Sequence, residues 1–491
     1  MIAALLLVPA AAGLLALLLR SDRLRRALLL AASATHLGLV AAVWRAAPAA
    51  APNAWLRLDP LGTLVLGVTT VLFFIAALYA VGYLAREERT PRPDIEEDAL
   101  FANGPEAVFT ACLLFFLATM TLVTVSQNLG VLWVAVEATT LASAPLIFFH
   151  RHHRSLEATW KYLLICSVGI AVALLGNFFL AFSASFGPAG SGSLVLHELI
   201  AGAPALHVRW LKAAFVLLLV GYGTKMGLAP LHTWLPDAHA EAPSVVSALL
   251  SGALLNCAFL GIVRAYQVLA AAGQGRFAGD LLIDMGLFSM ALAAVFIVAQ
   301  PDFKRLLAYS SVEHMGILAV GIGLGGGAVF GALLHLVNHS LAKGMLFLVA
   351  GNVLAAYRSK STARVRGMGG ALPLTAALWV AGLFAITGSP PFGPFLSELV
   401  IVNGAIDGHH PVVTVLFLLF LAAAFIGMAR PMLAMVQGDP NPDLQPSGRD
   451  RWLAVAPPAA LGFAVLLLGV WIPPWLAGAL RAAAGVVGAG R

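Results

Sequence analysis

VLLLVGYGTKMGLAPLHTWLPDAHAEAP, residues 216–243, begins as an apolar run fit for the interior of a bilayer and then interrupts itself. Lys225 stands within the run, and Pro230 follows five residues later. Proline has no N–H to donate and its ring clashes with the carbonyl four residues back, so the helix is predicted to break beside Lys225. Irregular backbone at membrane depth is tolerated only where it meets protein or a water-filled cavity. The stretch therefore predicts a broken membrane helix that turns a lysine and free carbonyls toward such a cavity. Its second half carries His232, Asp237, His239 and Glu241, a polar re-entry that reads either as a proton entry or as a structural turn.

The rest of the chain agrees with lipid as the solvent. Of 491 residues, 60% are hydrophobic and 11% charged, with mean hydropathy +0.91; soluble globular proteins carry about 25% charged residues. That is too little charge to coat soluble domains. Disorder, a basic nucleic-acid binder and a disulfide scaffold are excluded on the same composition. Only Cys112, Cys166 and Cys257 are present, none in a C-x-x-C pair. No cofactor or metal is therefore expected on this chain, and any redox chemistry is assigned to partners.

Apolar stretches long enough to cross ~30 Å of hydrocarbon number fourteen, among them 2–19, 210–230, 242–268, 371–394 and 453–480. Arg20, Arg23, Arg25 and Arg26 follow the first stretch instead of preceding it, so it is expected to anchor with its N-terminus outside and not to be a cleaved signal. Counting alternate loops, nineteen of the 29 Lys and Arg residues fall on the predicted cytoplasmic side and eight on the other, as the positive-inside rule requires of an even number of spans. Both termini are thus expected on the outer side of a bacterial cytoplasmic membrane. The charged loop 86–106 reads as a solvated connector or a docking site for a soluble partner. His150, His152 and His153, beside Arg151 and Arg154, read as a solvated loop, since no carboxylate or Cys completes a metal set.

The informative residues are ionisable groups within spans, because each costs several kcal/mol to bury and rarely faces lipid. They are Glu137, Lys225, Glu313, His314, His335, His339, Lys343 and, in a second interrupted span, Glu398. Glu137 and Lys225 read as an ion pair whose strength sets when the lysine holds a proton. His335, His339 and Lys343 stand at i, i+4 and i+8, on one face within ~80° and over ~12 Å of rise, a spacing that suggests a proton ladder. Histidine titrates in the working range. Gly321, Gly323 and Gly326 spell G-x-G-x-x-G, but they join two membrane helices and no strand precedes them, so a dinucleotide site is rejected.

TKMGLAPLHTWLPDAH and ITGSPPFGPFLSELV are the most interrupted spans, and each closes a group of five helices. Groups with an odd number of helices run in opposite senses, the pattern of inverted-repeat transporters with midplane sites. The expected fold is an all-α membrane protein of fourteen transmembrane helices with two inverted five-helix repeats, each containing a broken helix. Its parts are 1–105, the repeats 106–271 and 272–437, and a C-terminal linker and last helix at 438–491.

VEATTLASAPLI, KMGLAPLHTWLPDAHAEAPS, DFKRLLAYSSVEHMG and HLVNHSLAKGMLFLVAGN resemble the antiporter-like proton-translocating subunits shared by respiratory complex I, Mrp cation/proton antiporters and group 4 membrane-bound hydrogenases. Glu313 directly before His314, together with AEAPS, is most similar to the hydrogenase-4 component F branch. The resemblance implies that Glu137, Lys225, His314, His335, His339, Lys343 and Glu398 form a translocation path, with Glu398 at its terminal end; the residues themselves add Glu313 beside His314 and, at the re-entry, His232 and His239. Asn256 stands where many relatives carry a lysine, so the step between half-channels must run through water, His314 or a neighbouring residue. It further implies homologous membrane subunits and soluble redox subunits as partners, with a nickel-iron centre and iron-sulfur clusters on those partners and no catalytic site here. The other functions weighed are an Mrp-type sodium/proton antiporter subunit and the proton-coupled membrane partner of an inorganic-carbon uptake complex.

Overall fold

A computed structural model describes residues 1–45, 55–87, 92–93, 100–186, 192–442, 444 and 446–488. Eleven helices among these residues are long and apolar enough to cross a membrane, so the protein is a multi-pass membrane protein with helical spans. Their starts are set by polar caps placed just ahead of apolar runs. Asp59 accepts from the Gly62 N–H at 3.0 Å, Asn128 from Gly130 and Val131, and Asp302 from Lys304 and Arg305.

Ser244–Ala271, Phe303–Leu324 and Gly327–Tyr357 form the interior and are almost wholly buried, whereas Pro411–Val436 lies largely on the outside. Close approach of small residues holds neighbouring helices together where lipid supplies little hydrophobic drive. A Cβ at Gly286 in Gly275–Val298 would stand 2.6 Å from the Gly316 carbonyl of Phe303–Leu324. The G-x-G-x-x-G run forms that packing and the turn after it. Gly323 abuts the Gly279 carbonyl, while Gly325 and Gly326 take positive φ of 72° and 52°.

Several expected spans differ in extent. The first is a 17-residue helix, Ile2–Leu18. The 210–230 span ends as a helix at Met226; 227–233 is non-helical and Trp234–Glu241 resumes. This is the break that Pro230 predicts. The 371–394 span divides into Pro373–Ile386 and Gly393–Asp407, because Pro390 and Pro391 cannot continue a helix. The 453–480 span is two helices, Trp452–Val470 and Pro474–Gly488, parted at Pro473 and Pro474. Within Ser244–Ala271, residues Leu250–Leu254 form a π-helical turn, a distortion often found at functional positions.

The chain is not helical throughout. Leu100–Asn103 pairs antiparallel with Arg92–Pro93 and His150–Arg151. The docking reading of the 86–106 loop falls mainly on 88–91 and 94–99, outside the described residues.

Candidate functional site

The first cluster joins three helices. On Leu129–Ile147, Glu137 and Thr140 share a face at i and i+3, and Thr140 donates to the Glu137 carboxylate at 3.3 Å. Lys225, one residue before the end of Val208–Met226, donates to Thr140 Oγ1 at 2.8 Å and to Tyr162 OH at 2.6 Å. Ser143 lies 2.6 Å from Tyr162 OH, and Ser167 donates to Glu137 at 2.8 Å. Thr140 thus bridges the expected Glu137–Lys225 pair, whose two charges interact across it. Glu137 is also only half-buried, beside exposed Val134 and Leu141, whereas Lys225 is fully buried.

The second cluster lies among Phe303–Leu324, Gly327–Tyr357 and Gly393–Asp407. His314 Nδ1 and His335 Nε2 are 2.8 Å apart, so one ring donates to the other, and His335 Nδ1 is 3.0 Å from Ser397 Oγ. The His339 ring centroid is 5.1 Å from that of His314. Lys343 turns instead to the neighbouring helix, donating to the Leu307 carbonyl at 2.6 Å and to Ser310 Oγ. Glu313 interacts electrostatically with Lys343 and with Glu398. The row thus runs across three helices, joining His335 and His339 to His314 on the preceding helix and to Glu398 on Gly393–Asp407. Glu398 is not remote from it, because ligand atoms of Glu398, His314 and His335 lie within 4.8 Å of one another. Such a trio has the donors for a cation, but the proton shared between His314 and His335 points each of those nitrogens at the other ring.

Asn256 donates to the Gly252 carbonyl at 2.9 Å and to Ser340 Oγ at 2.8 Å. It therefore touches the histidine helix beside His339, on the side of the π-helical turn. His239 reaches inward, its ring stacked on Phe347 at 4.9 Å and within electrostatic range of Lys304 and Lys343. His232 is buried near Tyr309, with ring centroids 6.2 Å apart. The two acids of the re-entry do something else. Asp237 is bound by Lys161 at 2.9 Å and Arg305 at 2.6 Å, and Glu241 by Lys360 at 2.8 Å. The segment is part structural clamp and part inward-facing histidine.

His150 and His152 are not merely solvated, a further correction. His150 lies 2.9 Å from Tyr83 OH and 2.7 Å from Asn103 Oδ1, and His152 Nδ1 accepts from the Ser155 N–H to cap His153–Ser185. Burial pushes the Glu241 carboxyl up, but Lys360, joined by His152 and Lys304, outweighs this and holds it below the usual carboxylate range. The opposite end of the bundle holds another pair. Arg264, 1% exposed, binds both Asp59 oxygens, at 2.6 Å and 2.5 Å, and Gln267 donates to the Val486 carbonyl. Burial pushes Asp59 up as well, yet the Arg264 guanidinium and the Gly62 N–H leave it net below its ordinary value.

Sequence reasoning missed the neutral connectors Thr140, Tyr162, Ser167, Ser310, Ser340 and Ser397. Their signal was available: Thr140 is three residues from Glu137, and Ser397 directly precedes Glu398.

The fold and this buried row define an antiporter-like membrane subunit, a multi-pass protein with titratable groups in its interior. Residues 126–426 match the family described as "NADH:quinone oxidoreductase/Mrp antiporter, TM", and the chain belongs to that family. It is 35% identical over 426 residues to the hydrogenase-4 component F homolog of Methylacidiphilum infernorum (isolate V4), covering 86% of this chain and 87% of that one. It is 32% identical over 443 residues to NADH-quinone oxidoreductase subunit N of Desulforudis audaxviator (strain MP104C), covering 87% and 83%. In fold it matches a chain in the structure of the Mrp complex from Dietzia sp. DQ12-45-1b, with TM-score 0.85 and 20% identity over 99% of this chain and 97% of that one. These relatives are membrane subunits of multi-subunit complexes.

Proposed function

We propose that the protein translocates protons as one membrane subunit of a hydrogenase-4-like or complex I-like respiratory assembly, driven by redox chemistry in soluble partner subunits. The observation that carries this reading is the row from Glu137 through Thr140 and Lys225, and from Asn256 through His339, His314 and His335 to Glu398, buried for nearly its whole length. Redox energy alters the charge facing half-buried Glu137, Thr140 passes the change to Lys225, and a proton moves along the histidines. A hundredfold change in a lysine's proton affinity is ~2.7 kcal/mol. Moving one charge against 100 mV costs ~2.3 kcal/mol, so the switch is of the right size.

The same reading takes fourteen spans in two inverted five-helix repeats at 106–271 and 272–437, flanked by 1–105 and 438–491. It places both termini on the outer side of a bacterial cytoplasmic membrane, with nickel-iron and iron-sulfur centres on the partners. Similarity to the component F homolog over 87% of that relative supports the redox assembly over an Mrp-type antiporter. The test is Glu137→Gln and His339→Ala in the intact complex reconstituted in vesicles. Proton uptake should fall while electron transfer to an artificial acceptor persists. Normal uptake in both variants refutes the proposal.

A further inference from the structure

A cavity of about 440 Å³ lies outside the buried row. It opens at the end of the molecule where the sequence places the cytoplasm, between the ends of Pro60–Leu84 and Gly327–Tyr357 and the start of Trp452–Val470. Among the described residues, seven Lys and Arg side chains line it against three carboxylates. Those carboxylates are already engaged. Glu241 holds Lys360 at 2.8 Å, and Glu87 accepts from Asn103 at 2.8 Å. Asp450 accepts from the Leu374 N–H at 2.8 Å and Thr375 Oγ1 at 2.5 Å.

Arg358, Arg449 and Arg451 form no ion pair among the described residues, and Lys304, 1% exposed, donates only to the Ala240 and Ala242 carbonyls at 3.2 Å and 2.5 Å. At the wall, the Ser244 hydroxyl is buried without a protein partner. A cavity with this excess of positive charge repels cations and concentrates anions, so it is poorly explained as a proton mouth. Its rim is apolar: Leu374, Trp452 and Leu453 are 57%, 81% and 51% exposed and lie next in sequence to the lining residues Thr375, Arg451 and Ala454. Tryptophan at this level marks the lipid headgroup region, and basic pockets between membrane helices take phosphate headgroups.

We infer that this cavity binds the phosphodiester of an anionic membrane lipid, with arginine and serine donors on the phosphate and the acyl chains lying along Leu374, Trp452 and Leu453. Soluble phosphate offers the same oxygens but nothing for the apolar rim. The inference is independent of proton translocation, so either can fail alone.

The test compares wild type with the double variant Arg358→Gln/Arg451→Gln, both exposed positions. The purified complex is depleted of lipid and titrated with phosphatidylglycerol, phosphatidylcholine or inorganic phosphate, with bound phosphorus and thermal stability as readouts. Wild type should bind phosphatidylglycerol at least tenfold better than phosphatidylcholine. The double variant should lose about tenfold, and Arg358→Lys/Arg451→Lys should recover most of it. Millimolar phosphate should not displace the lipid. Equal binding of the two lipids, undiminished binding by the double variant, or displacement by inorganic phosphate overturns the assignment.

Discussion

The two polar clusters are built on different plans. Around Lys225 the network is closed: Thr140 and Tyr162 take two of the ammonium's three protons, and Ser143, Ser167 and Thr140 complete the partners of tyrosine and glutamate. Around His314 it is open. His314 Nε2, both His339 nitrogens, Asn338 Oδ1 and Glu398 Oε1 are buried without a protein partner, and buried polar atoms are satisfied by water when protein does not do so. The closed cluster ends at half-buried Glu137, at the edge of the molecule. A fixed network suits a switch whose charge state is set from outside, and an open one suits the passage of protons through exchangeable water.

The strongest way to break this contrast is to remove the histidine pair. His314→Ala combined with His335→Ala should reduce translocation by more than tenfold while electron transfer continues, as read by acidification of reconstituted vesicles. A small loss would show that water alone suffices in the open cluster. Next comes Thr140→Val, which keeps shape but deletes the hydroxyl bridging Glu137 and Lys225. Leaving a buried partner unsatisfied costs ~1–3 kcal/mol, so coupling should weaken about tenfold, whereas Thr140→Ser should retain it. Equal loss in both would point to packing and not to the hydroxyl.

Gly388→Ala probes how Glu398 is held. Gly388 has φ of 63°, and an added Cβ would overlap the Glu398 carboxylate. The strained backbone costs about 1–3 kcal/mol; the melting temperature should fall and translocation with it. Unchanged stability and transport would show that Glu398 relocates freely.

Asp59→Asn should affect stability and leave transport nearly intact. Because Arg264 holds the folded Asp59 carboxyl below its ordinary value, its stabilisation is present above about pH 4 and is lost as pH falls through the folded value. The substitution would leave Arg264 buried without its carboxylate, at ~3–5 kcal/mol. The variant should melt earlier at neutral pH and show less acid sensitivity than wild type. Equal melting at pH 7 would contradict the assignment of this pair.

Much of this was legible in the sequence because lipid makes exceptions conspicuous. Pro230 and the Pro390–Pro391 pair mark the two breaks, and a lysine or glutamate inside an apolar run cannot be mistaken for surface. Three things were not legible. Neutral hydroxyls such as Thr140 and Ser397 look like ordinary packing residues until their partners from other helices are known. His335, His339 and Lys343 share a helical face by spacing, but which neighbour each meets, such as Ser397 for His335 and Ser310 for Lys343, depends on other helices. A proline-rich kink also reads alike whether it bends one helix or separates two, as at 471–473.

The most direct test is the number of protons moved per electron by the intact complex carrying Lys225→Ala, measured in sealed vesicles with redox turnover recorded at the same time. The ratio should fall while turnover against an artificial acceptor is retained. An unchanged ratio at normal turnover would show that Lys225 does not control the route and would contradict the proposed switch.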